Sequence, residues 1–573
     1  MKNGKHIFAQ ELFIGFVSKV TAEGVNVHVP SSERISKFLH IGDDFHGGLV
    51  NTYVVIEGED NGFIGKVIST EIPEKERLEI SEKAISTKPL HPLIKLEIQT
   101  QFDYYDFKFI KSVSDFPNVG AKVYHSRKEV VDAFVKQLEV NATSTQSKTT
   151  DFATLLNSKD VKIDVTLQSL FSRHFAVVGT TGGGKSWTTA KLVENIVGND
   201  HKVVLLDATG EYKPLASNLH SLGVAENITI GETHVIPYES LKMEDLFYLT
   251  EPSEKSQKPK LLDAVRSLKL IQYFDDESTD IDVNDYIQEL GGIKYLVKSG
   301  KKRQPLLKEL ADNYINVNDD TLNFDIRALP LQIENECIYD TGYDKELFGA
   351  REATSLGYNI SLIGRINSIL GNQRFDSIFN FSSSSELHNL VKSIDEFKDN
   401  NKKILCINLS SLPFQYNIRE IVVNIIGDKL LNLARDKCFI TNPMVVMLDE
   451  AHQFLNKSLS NDYDNFTLDA FDNIAKEGRK YGLFLGITTQ MPRDIPVATL
   501  SQIGTFIVHR LINYRDKETI INALSNANRN ILSYLPDLGV GEAILSCIEL
   551  KMPLLIKVNQ PNNKPDSSTP KLN

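Results

Sequence analysis

The chain lacks long apolar runs and is poor in cysteine, and both features limit what it can be. A membrane-spanning helix needs about 18 or more apolar residues in succession, and no stretch of this sequence approaches that length. Gln10 and Glu11 interrupt the apolar residues near the N-terminus, so we expect no signal peptide. The four cysteines stand far apart with no C-x-x-C pair, which argues against a zinc ribbon or a disulfide scaffold and predicts a cytoplasmic protein.

The sequence also lacks an excess of positive charge. Its formal net charge is −12, so the molecule as a whole is not expected to attract nucleic acid. At 573 residues it is long enough for about four folding units, each with a core of its own. Composition thus indicates an acidic, multidomain protein and leaves its function open.

Two kinds of hydrophobic pattern divide the chain. Up to about residue 135, short alternating stretches are separated by turns such as Asp60-Asn61-Gly62, which predicts a small β-barrel or sandwich. After Lys162, near-continuous apolar strands alternate with helical stretches, which predicts an α/β fold with a mostly parallel sheet covered on both faces. We predict five segments: a β-barrel domain and linker (1–150), the first part of the α/β core (151–240), a helical insertion (241–400), the second part of the core (401–558) and a disordered tail (559–573).

A phosphate-binding loop of the form G-x-x-x-x-G-K-[ST] lies between the strand HFAVVG and a helix. Its glycines let backbone N–H groups point at phosphates, and the helix N-terminus adds a favourable dipole. Lys185 is expected to reach the β- and γ-phosphates, and the Ser186 hydroxyl is expected to bind Mg²⁺. The motif therefore predicts ATP and Mg²⁺ as cofactors, held by Gly179, Thr180, Thr181, Gly182, Gly183, Gly184, Lys185, Ser186 and Trp187.

A second apolar strand, MVVML, ends in an acidic pair. Asp449 can bind Mg²⁺ at the end of a central strand, and Glu450 can polarise the attacking water. The alternative is a core strand with an acidic cap, but together with the phosphate-binding loop the pair predicts ATP hydrolysis. Gln490 ends a later strand, where it either contacts the γ-phosphate or lytic water or is a plain strand end.

A guanine-reading motif of the form N-K-x-D occurs at 563–566. It lies in the polar tail, nearly 380 residues after the phosphate-binding loop and beyond the last predicted strand. We therefore do not expect it to give guanine specificity.

Five sequence blocks together resemble HerA-type DNA translocases of the HerA–FtsK superfamily. They are RHFAVVGTTGGGKS (173–186), LDATGEY (206–212), LDEAHQFL (448–455), EGRKYG (477–482) and ITTQMPRDIP (487–496). The resemblance covers the motor core in patches, roughly 160–240 and 400–560, with the motifs in the family's order. It implies a RecA-like P-loop motor, preceded by a small barrel, that forms a homohexameric ring with ATP sites between subunits. Ala208-Thr209 replaces the commoner Pro-His of the second block.

Several charged residues take possible roles from this resemblance. Arg479 matches the position that the family uses near the subunit boundary, which makes it a candidate arginine finger; from the residues alone, EGRKYG can equally be a solvated helix C-terminus. Arg173 is a candidate nucleotide contact, and Arg510 is either another or a strand-end cation. Glu211 either assists at the γ-phosphate or holds a turn. Candidate DNA contacts, or simply members of a solvated face, are Lys476, Lys480 and Arg493.

These features predict an ATP-driven translocase that acts on double-stranded DNA with a partner nuclease or antiviral-defence effector supplied in trans. The barrel is the expected docking surface for that partner. The alternative is an ATP-regulated scaffold ring that assembles an effector with little translocation. A motor that moves protein or conjugative DNA across a membrane is disfavoured by the lack of a membrane-spanning segment.

Overall fold

The computed structural model describes most of the chain. The described residues are 7–21, 24–41, 43–45, 48–73, 90–104, 109–110, 115–139, 149–156, 158–171, 173–276, 285–455, 457–458, 467–524, 533–548, 550 and 553–567. Residues 141–148 of the predicted linker and 568–573 of the predicted tail lie outside these ranges.

Strands and helices are numbered here in chain order. The strands are β1 (Phe13–Thr21), β2 (Gly24–His28), β3 (Phe38–His40), β4 (Asp43–Phe45), β5 (Tyr53–Ile56), β6 (Asn61–Glu71), β7 (Leu93–Asp103), β8 (Phe109–Ile110), β9 (Lys122–His125), β10 (Thr149–Leu155), β11 (Ser158–Thr166), β12 (His174–Val178), β13 (Lys202–Asp207), β14 (Ala225–Thr229), β15 (His234–Val235), β16 (Ile287–Leu290), β17 (Ile293–Leu296), β18 (His388–Asn389), β19 (Ile404–Asn408), β20 (Met444–Leu448), β21 (Lys457–Ser458), β22 (Thr467–Leu468), β23 (Leu483–Thr489), β24 (Ile503–Val508), β25 (Glu542–Cys547) and β26 (Leu554–Val558). The α-helices are α1 (Lys128–Glu139), α2 (Leu167–Leu170), α3 (Lys185–Gly198), α4 (Lys213–Ser221), α5 (Met243–Thr250), α6 (Gln257–Asp276), α7 (Arg303–Asp312), α8 (Tyr314–Val317), α9 (Leu329–Glu336), α10 (Ala353–Leu370), α11 (Gln373–Phe379), α12 (Leu390–Asp399), α13 (Ile418–Arg435), α14 (Ala470–Glu477), α15 (Val497–Leu500) and α16 (Tyr514–Ala523).

The N-terminal strands close into a barrel. Its six strands run in the order β2-β1-β9-β5-β6-β7, and β7 returns to pair with β2. The alternating apolar residues point inward because successive side chains in a strand face opposite sides, and Val25, Val27 and Val29 are fully buried in the barrel core. The predicted small barrel is therefore confirmed, and closure leaves its sheet with few free edges.

The chain divides into two compact units, and the first contains the barrel and the phosphate-binding loop (1–195 with 503–562). In this unit β12 pairs in parallel with β24, and β25, β26, β10 and β11 follow as antiparallel neighbours. Every residue of β12 and β24 is buried, as expected for the near-continuous apolar runs of strands covered on both faces.

The second unit contains residues 196–502 and 563–573. Its five main strands are all parallel, in the order β23-β20-β13-β19-β14. Parallel strands bring their carboxyl ends to one edge, so Asp207 of β13 stands beside Asn408 of β19. The predicted α/β class with a mostly parallel sheet is confirmed.

Helices α5 to α12 lie between β14 and β19, two strands that are neighbours in the sheet. The segment 243–399 therefore lies between two strands that are neighbours in the sheet. A buried ion pair helps to hold it together, because Lys298 Nζ lies 2.5 Å from Glu336 Oε2, and the Ser267 hydroxyl donates to Glu336 Oε1. Among the helices of the described ranges, none has the length and apolar character needed to cross a bilayer.

The last described residues of the chain belong to the second unit and make hydrogen bonds within it. The backbone N–H of Asp566 donates to Glu211 O at 2.8 Å, and Asn218 Nδ2 donates to Asn563 Oδ1 at 3.2 Å. The N-K-x-D segment therefore lies against the LDATGEY block, where its backbone and amide groups make hydrogen bonds.

Candidate nucleotide site

The phosphate-binding loop connects β12 to α3, as its motif predicts. Gly182 and Gly184 have φ of +73° and +112°, values that disfavour any residue with a Cβ atom. Lys185 begins α3, is largely buried, and places its Nζ 3.4 Å from the Thr180 carbonyl, over the loop. Of the predicted residues, Gly179 to Gly184 thus form the loop, and Lys185, Ser186 and Trp187 form the start of α3.

The side chain of His509 packs against this loop. It follows β24, its Nδ1 donates to Glu542 O at 2.9 Å, and its Nε2 accepts from the Thr188 hydroxyl at 2.8 Å. A Cβ atom on Gly179 would lie 2.6 Å from the His509 Cβ, so glycine is required where loop and imidazole meet. Complete burial, and then the neighbouring Lys185 and Lys557, lower the pKa of His509 to about 4. The ring is therefore neutral, with its proton on Nδ1.

This burial predicts a specific pH dependence of stability. Because the folded-state pKa of His509 lies below the unfolded value of 6.5, its contribution is fully present above pH 6.5 and is lost as the pH falls towards 4. We expect wild type to lose about 3 kcal/mol of unfolding free energy over that interval relative to His509→Asn. Chemical denaturation of both proteins at pH 7, 6, 5 and 4 measures the difference between their unfolding free energies. The contributions of the other titrating groups are common to both proteins and cancel in that difference. A constant difference across this range would contradict the buried neutral ring.

Two arginines named from the sequence lie at different distances from the loop. Arg510 is adjacent, since its carbonyl accepts hydrogen bonds from the Thr180 N–H and hydroxyl at 2.9 and 3.1 Å. Arg173 precedes β12 and is exposed, with its stem against Gly504. It stands at the opposite end of the strand from Gly179, about 20 Å away at about 3.3 Å per residue. The structure does not bring Arg173 to the phosphate-binding loop of its own chain, because residues at opposite ends of one strand cannot share a site.

In the second unit, Asp449 follows β20 and is almost fully buried. The Thr488 hydroxyl donates to its Oδ1 at 2.5 Å, and the Thr209 hydroxyl lies 3.3 Å from its Oδ2. Burial, and then the nearby carboxylates of Glu450, Asp207 and Glu211, raise the pKa of Asp449 to about 7. Thr209, one of the two residues that depart from the commoner family sequence, therefore helps to position the predicted metal ligand.

Glu450 and Gln490 contact each other directly. Gln490 Nε2 donates to Glu450 Oε1 at 2.6 Å, and Glu450 Oε2 lies 3.3 Å from His452 Nδ1. Glu450 has φ of +46°, a left-handed conformation that is costly for a residue with a Cβ atom and that is typical of functional sites. From the sequence alone, Gln490 is either a plain strand end or a functional amide. In the structure its amide contacts the carboxylate of Glu450, the predicted catalytic group.

The LDATGEY block forms a tight turn after β13. Both Asp207 carboxylate oxygens accept backbone N–H groups, from Gly210 at 2.7 Å and from Tyr212 at 3.0 Å. Burial, with a smaller contribution from Glu211, raises the pKa of Asp207. The buried Arg419 Nη2 donates to Ala208 O at 2.9 Å and to Leu409 O at 2.8 Å, so it joins the ends of β13 and β19.

The candidate arginine finger, Arg479, is exposed in a short turn that follows α14. A residue that contacts another subunit must be exposed on its own subunit. The three proposed DNA contacts are also exposed, and Arg493 Nε lies 3.7 Å from Asp494 Oδ1. These three residues are Lys476, Lys480 and Arg493.

The chemistry of these groups fits ATP and Mg²⁺. The loop offers backbone N–H groups, the start of a helix and a lysine, which suit a triphosphate. In the first unit Ser186 offers a hydroxyl oxygen, and in the second unit Asp449 offers a carboxylate oxygen; each is a kind of oxygen ligand that Mg²⁺ prefers. A cation would also offset the repulsion among the carboxylates that raises the pKa of Asp449.

Comparison with known families agrees with this fold and site. The family model described as "Helicase HerA, central domain" matches residues 151–432, and "Helicase HerA-like C-terminal" matches residues 439–568. Between them they cover well over half of the chain. The chain belongs to the HerA family. Its predicted identity as a RecA-like P-loop ATPase of that family is confirmed.

This HerA-family chain is similar over most of its length to proteins named as helicases or probable helicases. It is 26% identical over 432 residues to the DNA double-strand break repair helicase HerA of Pyrococcus furiosus, covering 71% of this chain and 69% of that protein. It is also 26% identical over 424 residues to a probable helicase of Methanocaldococcus jannaschii, MJECL08, covering 70% and 68%. Among solved structures, the bacterial conjugative coupling protein TrwB matches with a TM-score of 0.43 and 11% identity, covering 76% of this chain and 94% of that one.

Some site residues of this HerA-family chain were not identified from the sequence. His509, Thr488, Thr209 and Arg419 all contact or support the predicted groups. One signal was present for His509, because a histidine directly after a largely apolar strand occupies the position where parallel strands present functional residues.

Proposed function

We propose that this chain is a cytoplasmic, ATP-hydrolysing motor that moves along double-stranded DNA as a homohexameric ring. The observation that supports hydrolysis most directly is the contact of Gln490 with Glu450, because a held carboxylate can act as a base towards water. The relatives named as DNA double-strand break repair helicases support DNA as the substrate.

In this proposal each side chain has a separate role in phosphoryl transfer. Lys185 and the loop N–H groups bind the triphosphate, and Ser186 and Asp449 would hold Mg²⁺. When bound, Mg²⁺ neutralises charge on the β- and γ-phosphates. Glu450 accepts the proton of the attacking water, and Gln490 fixes the Glu450 carboxylate in place.

The proposed ring is supported by an exposed arginine. Arg479 is exposed, and a guanidinium that reaches a neighbouring subunit's ATP completes the site only upon assembly. In a ring, a few exposed cations per subunit are multiplied sixfold, so local DNA contacts are compatible with a net charge of −12. A nuclease or other effector would act in trans, docked on the barrel.

The scaffold-ring alternative accounts less well for the site. A ring that only binds ATP has no use for a carboxylate held by a second side chain, whereas Glu450 is held in this way and adopts a strained backbone conformation. The positions of Asp449 and Glu450 therefore favour a hydrolysing motor.

The direct test is ATP hydrolysis with and without duplex DNA. We expect duplex DNA to stimulate turnover, most strongly at low salt because phosphate contacts are screened by salt. Lys185→Ala should lower turnover by at least about 100-fold, since it removes a charge aimed at the transferring phosphate. If wild type hydrolyses ATP but duplex DNA has no effect at any salt concentration, the DNA motor is wrong and the scaffold ring is favoured.

A further inference from the structure

The turn Gly539–Gly541 lies directly against the phosphate-binding loop. The Gly541 N–H donates to Gly183 O at 3.1 Å, and a Cβ atom on Gly184 would lie 2.8 Å from the Gly541 nitrogen. This close approach requires glycine at position 184, whereas a Cβ atom on Gly541 would meet Lys557 at 3.8 Å, an ordinary contact. The backbone hydrogen bond of Gly541 therefore holds the turn beside the loop that binds phosphates.

The turn is held in place by its own flanking residues. The Gly539 N–H donates to Glu542 Oε2 at 2.7 Å, and Lys557 Nζ donates to Val540 O at 2.5 Å. The Glu542 carbonyl in turn accepts the proton of His509 Nδ1. The turn and the phosphate-binding loop therefore share His509 as a common support.

Val540 is the one side chain between the two glycines, and it is 69% exposed. The segment bonded to the other end of the loop, after Arg510, likewise carries the exposed apolar residue Ile512. Neither side chain has a hydrogen-bonding group. Exposed apolar groups beside a polar loop are typical of a ligand site, where they cover the flat face of a bound molecule.

We propose that Val540 is a base-contacting residue of the nucleotide site and packs against the face of the purine. This deepens the proposed function, since it assumes that the loop binds a nucleoside triphosphate. An apolar side chain contacts the face of a base but cannot read its edge, so adenine and guanine are bound with similar affinity. Any preferential use of ATP would then depend on how much ATP is available and not on discrimination between bases by the site.

The test compares ligands with and without a base. Binding of ATP, GTP and inorganic tripolyphosphate to the full chain is measured by the fluorescence of Trp187, the single tryptophan of the sequence, and by titration calorimetry. Val540→Ser should weaken ATP and GTP about 3- to 10-fold, because it removes apolar contact area, and should leave tripolyphosphate within about twofold. Val540→Ile keeps an apolar side chain at this position and should bind ATP with the affinity of wild type. Val119→Ser, at a barrel position with 68% exposure, is the matched control.

Several outcomes would overturn the base contact. Equal weakening of ATP and tripolyphosphate would show that the turn only supports the loop. Unchanged ATP binding, with or without altered subunit assembly, would place Val540 outside the nucleotide site. GTP binding more than about 30-fold weaker than ATP in wild type would require a group that reads the base edge. Absence of DNA stimulation would count against the motor alone, whereas these binding experiments do not involve DNA.

Discussion

Glu450→Gln is expected to slow ATP hydrolysis by about 10²- to 10⁴-fold while nucleotide binding stays close to wild type. The range is that of a general base in a positioned site. Glutamine keeps the shape and one oxygen of the glutamate, so it can still accept from Gln490, but it cannot take a proton from water. Single-turnover hydrolysis and a separate binding titration distinguish the chemical step from affinity.

The matched control for this variant is Glu289→Gln, an exposed glutamate of the β16–β17 hairpin. It removes the same charge away from the nucleotide site and should hydrolyse ATP as wild type does. Loss of less than about tenfold in Glu450→Gln would mean that another group activates water. If the Glu450→Gln protein still assembled and fully supported an effector, this result would favour the scaffold ring over the motor.

Arg479→Ala is expected to lower turnover of the assembled protein by about 10³- to 10⁵-fold, the effect of an arginine finger supplied in trans. The guanidinium stabilises charge that develops on the transferring phosphoryl group, and its exposure suits a reach across a subunit boundary. The matched control is Lys308→Ala, which removes an exposed cation of α7 and should retain most activity. Near-normal turnover by Arg479→Ala would show that EGRKYG is a solvated helix end.

A mixing experiment decides whether Arg479 acts on a neighbour. Arg479→Ala has an intact phosphate-binding loop, and Lys185→Ala has an intact arginine, so each should be inactive alone. In mixed rings, a loop from one variant meets an arginine from the other, and part of the activity should return. Without any recovery, Arg479 would be acting within its own chain or only in folding.

Much of the fold and part of the site could be predicted because they depend on local sequence. Alternating valines such as Val25 and Val27 predict a barrel strand, and a Gly-rich turn before Lys185 predicts a phosphate-binding loop, since each pattern has one favoured conformation. The acidic pair at 449–450 could also be recognised, because apolar parallel strands end at one edge of a sheet.

What could not be predicted depends on contacts between distant positions. His509 meets Thr188 across 321 residues, and Thr209 meets Asp449 across 240 residues. No local pattern specifies either pair. The resemblance implied that Arg173 contacts nucleotide, but in this chain the length of β12 separates Arg173 from the phosphate-binding loop at the other end of the strand. The contact of Gln490 with Glu450 depends on the register of neighbouring strands, which a single sequence leaves open.

The support of the phosphate-binding loop by residues near 509 and 541 has a consequence for how the protein is made. Thr180 leaves the ribosome about 330 residues before the carbonyl of Arg510 to which it bonds. At about 5–20 residues per second, this is a delay of roughly 15 to 65 seconds of translation. During that time the nascent loop lacks its imidazole support and its neighbouring turn. We therefore expect the loop to reach the conformation described here only late in synthesis, after β24 and β25 have emerged.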